Sequence, residues 1–311
     1  MLAVAGALPL GPDWAYELKW DGVRAMAVVK NGSLHLYARS GAEITLAYPE
    51  LAGLVTALGE SGITEAVLDG EVVELDREGR PDFIALAERI HVRDVAKARK
   101  LAAARPVNYM IFDILSANGT DVTRASYVER RELLESVLPA PGVSAWAVPP
   151  RFADGEATLA GARELALEGV VAKRLSSPYR PGSRAADWVK VKNERTGDYV
   201  VGGWHSRRRT VSGLLVGLPG PGGLIYRGRV GSGISAATER ALLAQLEPLR
   251  ALASPFAARQ VPREDTVATT WVRPEMVVEI RYGQITRDGR LRFPLFLRVR
   301  PDKLPEEASD A

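Results

Sequence analysis

The chain has 311 residues, 46% of them hydrophobic, and a formal net charge of +3; that length buries a substantial core and suggests two domains more readily than one. With no Cys and three His, disulfides, cysteine-ligated zinc and a thiol nucleophile are excluded, so any metal should sit on carboxylates. No run approaches the ~20 apolar residues of a membrane span, and the opening MLAVAGALPL lacks the basic region of a signal peptide, so the expectation is a cytoplasmic protein.

Strand-like runs alternate with helical patterns up to about residue 195. The stretch ELKWDGVRAM (17–26) ends a strand on Lys19, just before the turn pair Asp21-Gly22 and Arg24. A surface hairpin with solvated charges is its plainest explanation. Helices are expected over 48–58, 82–90, 126–138 and 155–167, the third opening on a Ser126–Glu129 capping box. In VLDGEVVEL, Asp69 and Glu71 share a face at the strand period of two. Asp113 interrupts the apolar run YMIFDIL directly after Phe112, and Glu168 and Lys173 bracket another in EGVVAKR. WVKVK sets Trp188, Lys190 and Lys192 on one face and Val189 and Val191 on the other.

After NERTGDY the texture changes to short strands with Gly and Pro turns, one helix in ISAATERALLAQL, and a last strand pair meeting at Asp288-Gly289. About five strands and one helix suit a small β-barrel such as an OB-fold, which gives expected domains of 1–196 and 197–311. The second holds 17 Lys and Arg against 12 Asp and Glu and leans towards polyanions. In GRLRFPLFLRVRPDK, Arg290, Arg292, Arg298 and Arg300 alternate with Leu291, Phe293, Leu297 and Val299, so an apolar inner and a guanidinium outer face are expected.

Charges inside apolar strands are costly unless they face each other or a charged ligand. The acids and lysines here fit a structural ion-pair network; they equally fit a site in which carboxylates hold Mg2+ and lysines meet phosphate. There is no GxxxxGK[ST], so a P-loop is not the explanation.

Seven segments in order, KWDGVR (19–24), RSG (39–41), LDGEVV (68–73), YMIFDIL (109–115), EGVVAKR (168–174), WVKVK (188–192) and RPDK (300–303), resemble the lysine-dependent nucleotidyltransferases. Within them they resemble the ATP-dependent DNA ligases, in particular the ligase module of bacterial multi-domain end-joining ligases. The resemblance implies an α+β chain, an ATP-grasp-like nucleotidyltransferase domain followed by a small all-β OB-fold barrel. It implies that Lys19 takes AMP from ATP, that Glu17 reads the adenine amino group and that Phe112 stacks on the base. Glu71 is placed near the ribose and, with Glu168, at Mg2+ or Mn2+. Lys190 and Lys192 are placed at the α-phosphate, and Arg24 and Arg39 near the ribose and the nick 5′-phosphate. Lys173, Asp69 and Asp113 match motif positions, Lys173 in the nucleotide pocket. Arg300, Asp302 and Lys303 resemble a barrel-borne motif that closes over ATP.

The implied substrate is nicked or broken double-stranded DNA, sealed by a monomer associated with the nucleoid. A Ku-like end-binding protein and separate polymerase and nuclease proteins are candidate partners, since the chain has neither polymerase nor nuclease modules. A lysine amine titrates near 10.4, so only on the order of one in a thousand is neutral at pH 7. Neighbouring Lys190, Lys192 and a metal would disfavour the charged form, and the Asp-Gly turn would hold the amine towards the α-phosphorus. RNA ligases and capping guanylyltransferases share this core, and a non-catalytic OB protein is a third reading. The matching C-terminal motif and the intact Lys19, Glu71, Glu168, Lys190 and Lys192 favour a working DNA ligase.

Overall fold

The computed structural model describes residues 1–138, 145–207, 209–258, 260–286 and 288–310. They fall into two compact units, Met1–Asn193 and Glu194–Ala311. The division precedes the expected 196/197 because Arg195 and Thr196 already pair with Tyr282 and Arg281 of the second unit.

The strands of the first unit are β1 (Leu2–Ala5), β2 (Trp14–Lys19), β3 (Val23–Lys30), β4 (Ser33–Ala38), β5 (Ala66–Glu74), β6 (Val107–Ala117), β7 (Thr120–Asp121), β8 (Trp146–Ala147), β9 (Arg151–Phe152), β10 (Gly169–Arg174) and β11 (Arg184–Lys192). They form two sheets, one in the order β1-β11-β10-β2-β9, the other β4-β3-β5-β6-β7 with β8 beside β6. Strands β2 and β3 therefore belong to different sheets, and the surface-hairpin explanation of ELKWDGVRAM is wrong. The turn needs glycine for closeness: a Cβ on Gly22 would lie 2.1 Å from the Val72 carbonyl oxygen.

Helices α1 (Leu54–Glu60), α2 (Phe83–Ile90), α3 (Val95–Ala104), α4 (Tyr127–Val137) and α5 (Gly155–Glu164) complete this unit. Asp82, Asp94, Ser126 and Asp154 cap α2 to α5 by accepting a backbone N–H, and the Ser126–Glu129 capping box forms as expected. The helix expected over 48–58 starts instead as a 3₁₀ turn at Pro49–Gly53, and the one expected to reach 167 stops at Glu164. Helix α3 was not expected; Ala98 is its one buried residue, so it shows no apolar stripe. One core packs Leu36, Leu68, Val72 and Ile111 of the second sheet against Leu54 and Leu134 of α1 and α4. Fully burying each such side chain contributes roughly 1.5–3 kcal/mol. A smaller core joins Tyr16, Val170 and Val189 of the first sheet to Ala162 of α5.

The second unit contains β12 (Arg195–His205), β13 (Gly213–Gly220), β14 (Gly223–Val230), α6 (Ala236–Leu246), β15 (Arg250–Ala251), α7 (Arg263–Thr266), β16 (Thr269–Val272), β17 (Val277–Tyr282), β18 (Gln284–Ile285), β19 (Leu291–Arg292) and β20 (Leu295–Val299). One edge of β12 is shared: residues 195–200 pair with β17 and 203–205 with β16, while β13 runs along the other edge with a bulge at Val201/Gly203. A long strand bent in this way curls the sheet around Tyr199, Val201, Leu214, Val216 and Phe296. Strands β18 and β19 meet around Asp288-Gly289, as expected.

The expected alternation along 290–300 holds at Leu291, which is buried, and at Val299, which packs on the same core, but fails between them. Pro294 separates β19 from β20, and in β20 Phe296 opposes Ile280 while Arg298 opposes Glu279, which leaves Leu297 as the extra residue of a bulge. Phe293 and Leu297 are exposed and Phe296 is buried. The arginines are occupied rather than arrayed: Arg290 donates to the Tyr226 and Gln260 carbonyls, Arg292 lies over the Phe293 ring, and Arg298 pairs with Glu279. Among the described residues no helix is long and apolar enough to cross a membrane.

Candidate active site

Strand alternation sends Glu17 and Lys19 of β2 to one side, while Tyr16 packs beside α5. Both open on a cavity of about 240 Å³, lined also by Glu71, Phe112, Lys173 and Lys190. Strand β10 pairs with β2 so that Gly169 stands opposite Lys19, which brings Glu168 to the Lys19 end of the cavity. Only glycine fits at 169: its φ is +144°, and a Cβ would lie 2.0 Å from the Val191 carbonyl oxygen.

At that end the Lys19 ammonium donates to Glu168 Oε2, and Lys192 Nζ lies 2.8 Å from Glu168 Oε1, so one carboxylate bridges two lysines. Burial would raise the Glu168 pKa, but Lys19 and Lys192 outweigh it and hold the group below the usual carboxylate range. Lys190 forms no ion pair with a described residue; burial, then the neighbouring Lys192 and Lys19, lower its pKa. Glu71 likewise has no hydrogen bond or ion pair to a described residue, and burial pushes it up to about 8 against the pull of Lys19 and Arg24.

At the other end Glu17 is 5% exposed and holds three donors. Its Oε2 lies 2.8 Å from Lys173 Nζ, and its Oε1 accepts from the Tyr127 hydroxyl at 2.5 Å and from Arg131 at 3.5 Å. The Lys173 ammonium also donates to the Phe112 carbonyl and sits 4.6 Å and 4.4 Å from the Phe112 and Trp188 ring centres. Its pKa is lowered by burial, a cost that Glu17 and Asp113 partly offset.

The polar residues noted in apolar strands thus divide between two duties. Asp69 takes a bidentate pair from Arg24 (3.0 and 2.6 Å) and the Tyr179 hydroxyl (2.7 Å). Asp113 takes a bidentate pair from Arg130 (2.8 and 2.9 Å). These are the structural ion pairs, whereas Glu17, Lys19, Glu71, Lys173 and Lys190 face the cavity. Arg24 lines the cavity too, but its guanidinium is committed to Asp69 and the Met1 carbonyl. Arg39, on the turn after β4, is exposed at the cavity edge.

Arg300 and Lys303 belong to the second unit, where both hold Asp198: Arg300 Nη1 at 3.0 Å and Lys303 Nζ at 2.6 Å, with Asp302 on the far side of the Arg300 guanidinium. Among the described residues no cluster of three or more His, Asp or Glu could hold a metal by itself. Glu168 and Glu71 could supply two hard oxygen ligands, which suits a cation shared with substrate phosphates more than a protein-only cage. Sequence reasoning passed over Tyr127, Arg130 and Arg131, all on α4, and Arg184 and Trp20 in the cavity wall.

A lysine at one end of a cavity and an aromatic ring at the other, in a two-sheet unit followed by a small curled barrel, is the layout of a nucleotidyltransferase. Residues 7–192 match the family model of the ATP dependent DNA ligase domain, and residues 207–303 that of the ATP dependent DNA ligase C terminal region. The chain belongs to the ATP-dependent DNA ligases. It is 38% identical over 314 residues to the multifunctional non-homologous end joining protein LigD of Mycolicibacterium smegmatis, covering 99% of this chain and 39% of that protein. A probable DNA ligase of Anaeromyxobacter dehalogenans is 36% identical, over 96% of this chain and 58% of its own length. The solved structure of mycobacterial DNA ligase D complexed with ATP and MES is similar at a TM-score of 0.56 and 37% identity, over 100% of this chain and 97% of that one. The chain therefore spans well under half of the LigD protein that it matches.

Proposed function

We propose that the chain seals 5′-phosphate/3′-hydroxyl nicks or breaks in double-stranded DNA, with Lys19 as the residue that carries AMP. The observation that carries this is the single cavity into which Lys19, Glu17, Phe112 and Lys190 all open. The Lys19 ammonium must lose its proton and leave Glu168 before it can react. The amine then forms a P–N bond to the α-phosphorus as the bond to pyrophosphate breaks. AMP passes to the DNA 5′-phosphate, and the 3′-hydroxyl displaces it. Phe112 stacks on the base, Glu17 accepts from its exocyclic amino group, and Lys190 and Lys192 neutralise the α-phosphate, so the protein's contribution is placement and charge. Glu71, whose carboxylate makes no hydrogen bond or ion pair to a described residue, and Glu168 would hold Mg2+ or Mn2+, which when bound neutralises phosphate charge.

Glu168→Ala should keep its fold, because Lys19 and Lys192 are both partly exposed and can be solvated, yet lose metal-dependent turnover. A wild-type sealing rate across a Mg2+ titration would remove Glu168 from the reaction. In the barrel, Arg300→Ala with Lys303→Ala should block lysyl-AMP formation but still seal nicks supplied already adenylylated, since closure over a triphosphate serves only the first step. Lys190→Ala should impair both steps. Equal losses on the two substrates in the barrel variant would mean that these residues stabilise the barrel or grip DNA.

The relatives named as end-joining proteins favour a role in joining DNA breaks, a role that a Ku-like end-binding partner would suit. Purified protein on nicked and broken DNA, with labelled ATP, GTP or NAD, tests the whole proposal. Sealing with ATP is expected; labelling by GTP as efficient as by ATP, or sealing that requires NAD, overturns it.

A further inference from the structure

The buried donors around Glu17 serve no step so far described. We propose that Tyr127 and Arg131, four residues apart on α4, are positioning residues that set the preference for adenine over guanine by fixing the Glu17 carboxylate. This rests on Glu17 being the group that meets the base.

A carboxylate offers about four acceptor directions. In Glu17, Lys173 takes one on Oε2 at 2.8 Å, and Tyr127 and Arg131 take two on Oε1 at 2.5 and 3.5 Å. What remains is acceptor capacity beside the cavity wall, where Phe112 and Trp188 also stand. Neither holder can swing into water, Tyr127 being 0% and Arg131 1% exposed. Arg131 is anchored in turn by Glu135 at 2.6 Å and by the Pro149 carbonyl, and Tyr127 is the first helical residue after the Ser126 cap. Burial, and the Glu17 carboxylate beside it, push the Tyr127 phenol well above its ordinary range, so it remains a donor at every working pH.

A fixed acceptor suits the adenine 6-amino group, which donates. It repels guanine, whose 6-carbonyl presents a second acceptor. Discrimination of this kind is large only when the protein's polar group cannot turn away or change its proton count. Tyr127→Phe deletes one donor and no bulk. Oε1 then keeps only the long Arg131 contact among the described residues, and the carboxylate can rotate away and tolerate the guanine carbonyl.

The test measures covalent labelling with α-labelled ATP and GTP for wild type, Tyr127→Phe, Arg131→Lys and Glu17→Ala, with thermal stability recorded for each. Tyr127→Phe should raise KM for ATP roughly tenfold with kcat within about threefold, and lower the ATP/GTP ratio of kcat/KM at least roughly tenfold. Arg131→Lys should move the ratio in the same direction, which keeps the test alive if the phenylalanine variant does not fold. A merely structural role would depress both nucleotides equally or lower stability alone. If Glu17→Ala collapses the ratio while Tyr127→Phe and Arg131→Lys leave it intact, the positioning role is wrong and the contact of Glu17 with the base stands. If Glu17→Ala also leaves the ratio intact, Glu17 does not meet the base at all.

Discussion

Replacing Lys19 with alanine abolishes the protein–AMP adduct, and with it the sealing of every nick that is not already adenylylated. The expectation is a complete loss because the intermediate is a bond to one particular nitrogen, which no better binding elsewhere can replace. Three other lysines stand near enough to be asked about. Lys173 is fully buried, bound to Glu17 and enclosed by aromatic rings. Lys192 is tied to Glu168 at 2.8 Å. Lys190 is the serious rival: it lines the same cavity, forms no ion pair with a described residue and has a lowered pKa, all of which suit a nucleophile. Intact-mass spectrometry after incubation with ATP and Mg2+ separates the two lysines. An AMP-sized adduct that survives in Lys19→Ala and disappears in Lys190→Ala would transfer the role to Lys190. Stability should change little in either variant, since Lys19 is partly exposed and Glu168 keeps Lys192 as its partner.

How much of this site could be read from the sequence depended on whether the signal was local. Glu17 and Lys19 were reached together through the family resemblance, and the Ser126–Glu129 spacing placed the start of α4 within one residue. The Arg130-Arg131 pair in YVERRELLESV reads locally as an ordinary charged helix face. In the fold both guanidiniums are buried, because their partners, Asp113 and Glu17, come from β6 and β2. Nothing within a helical turn announces such a pairing. Asp69 and Asp113 were legible as charges that needed a partner, but not as structural rather than catalytic ones, since Arg24 and Arg130 reach them across the sheet or from a helix. Tertiary geometry also overruled the pattern in β20. There a single extra residue, Leu297, moved the inward position from 297 to 296, a change that alternation alone cannot reveal.

The largest expected loss of stability follows from that same helix. Arg130→Ala should destabilise the first unit by about 3–5 kcal/mol, a large part of the 5–15 kcal/mol that holds a typical domain together. Arg130 is fully buried and gives four hydrogen bonds: two to Asp113, at 2.8 and 2.9 Å, and two to the Ala125 and Ser177 carbonyls, at 2.7 and 2.9 Å. Alanine would leave Asp113, 1% exposed, as a buried carboxylate beside Phe112, with only Lys173 to oppose its charge. Burial already raises the Asp113 pKa above its ordinary value even with Arg130 in place, so without the arginine it must rise further. The sign follows. The folded variant holds the Asp113 proton more tightly than the unfolded chain does, so its penalty is smallest at low pH and grows as pH rises above the unfolded carboxylate value. Urea denaturation of wild type and Arg130→Ala at pH 5.5 and pH 8 should therefore show a wider gap at pH 8. Asp113→Asn in the variant background should narrow that gap, because it removes the charge while keeping the shape. A loss below about 1 kcal/mol, or one that is equal at both pH values and indifferent to Asp113→Asn, would mean that the pair is solvated or replaceable and that α4 is held by its apolar contacts alone.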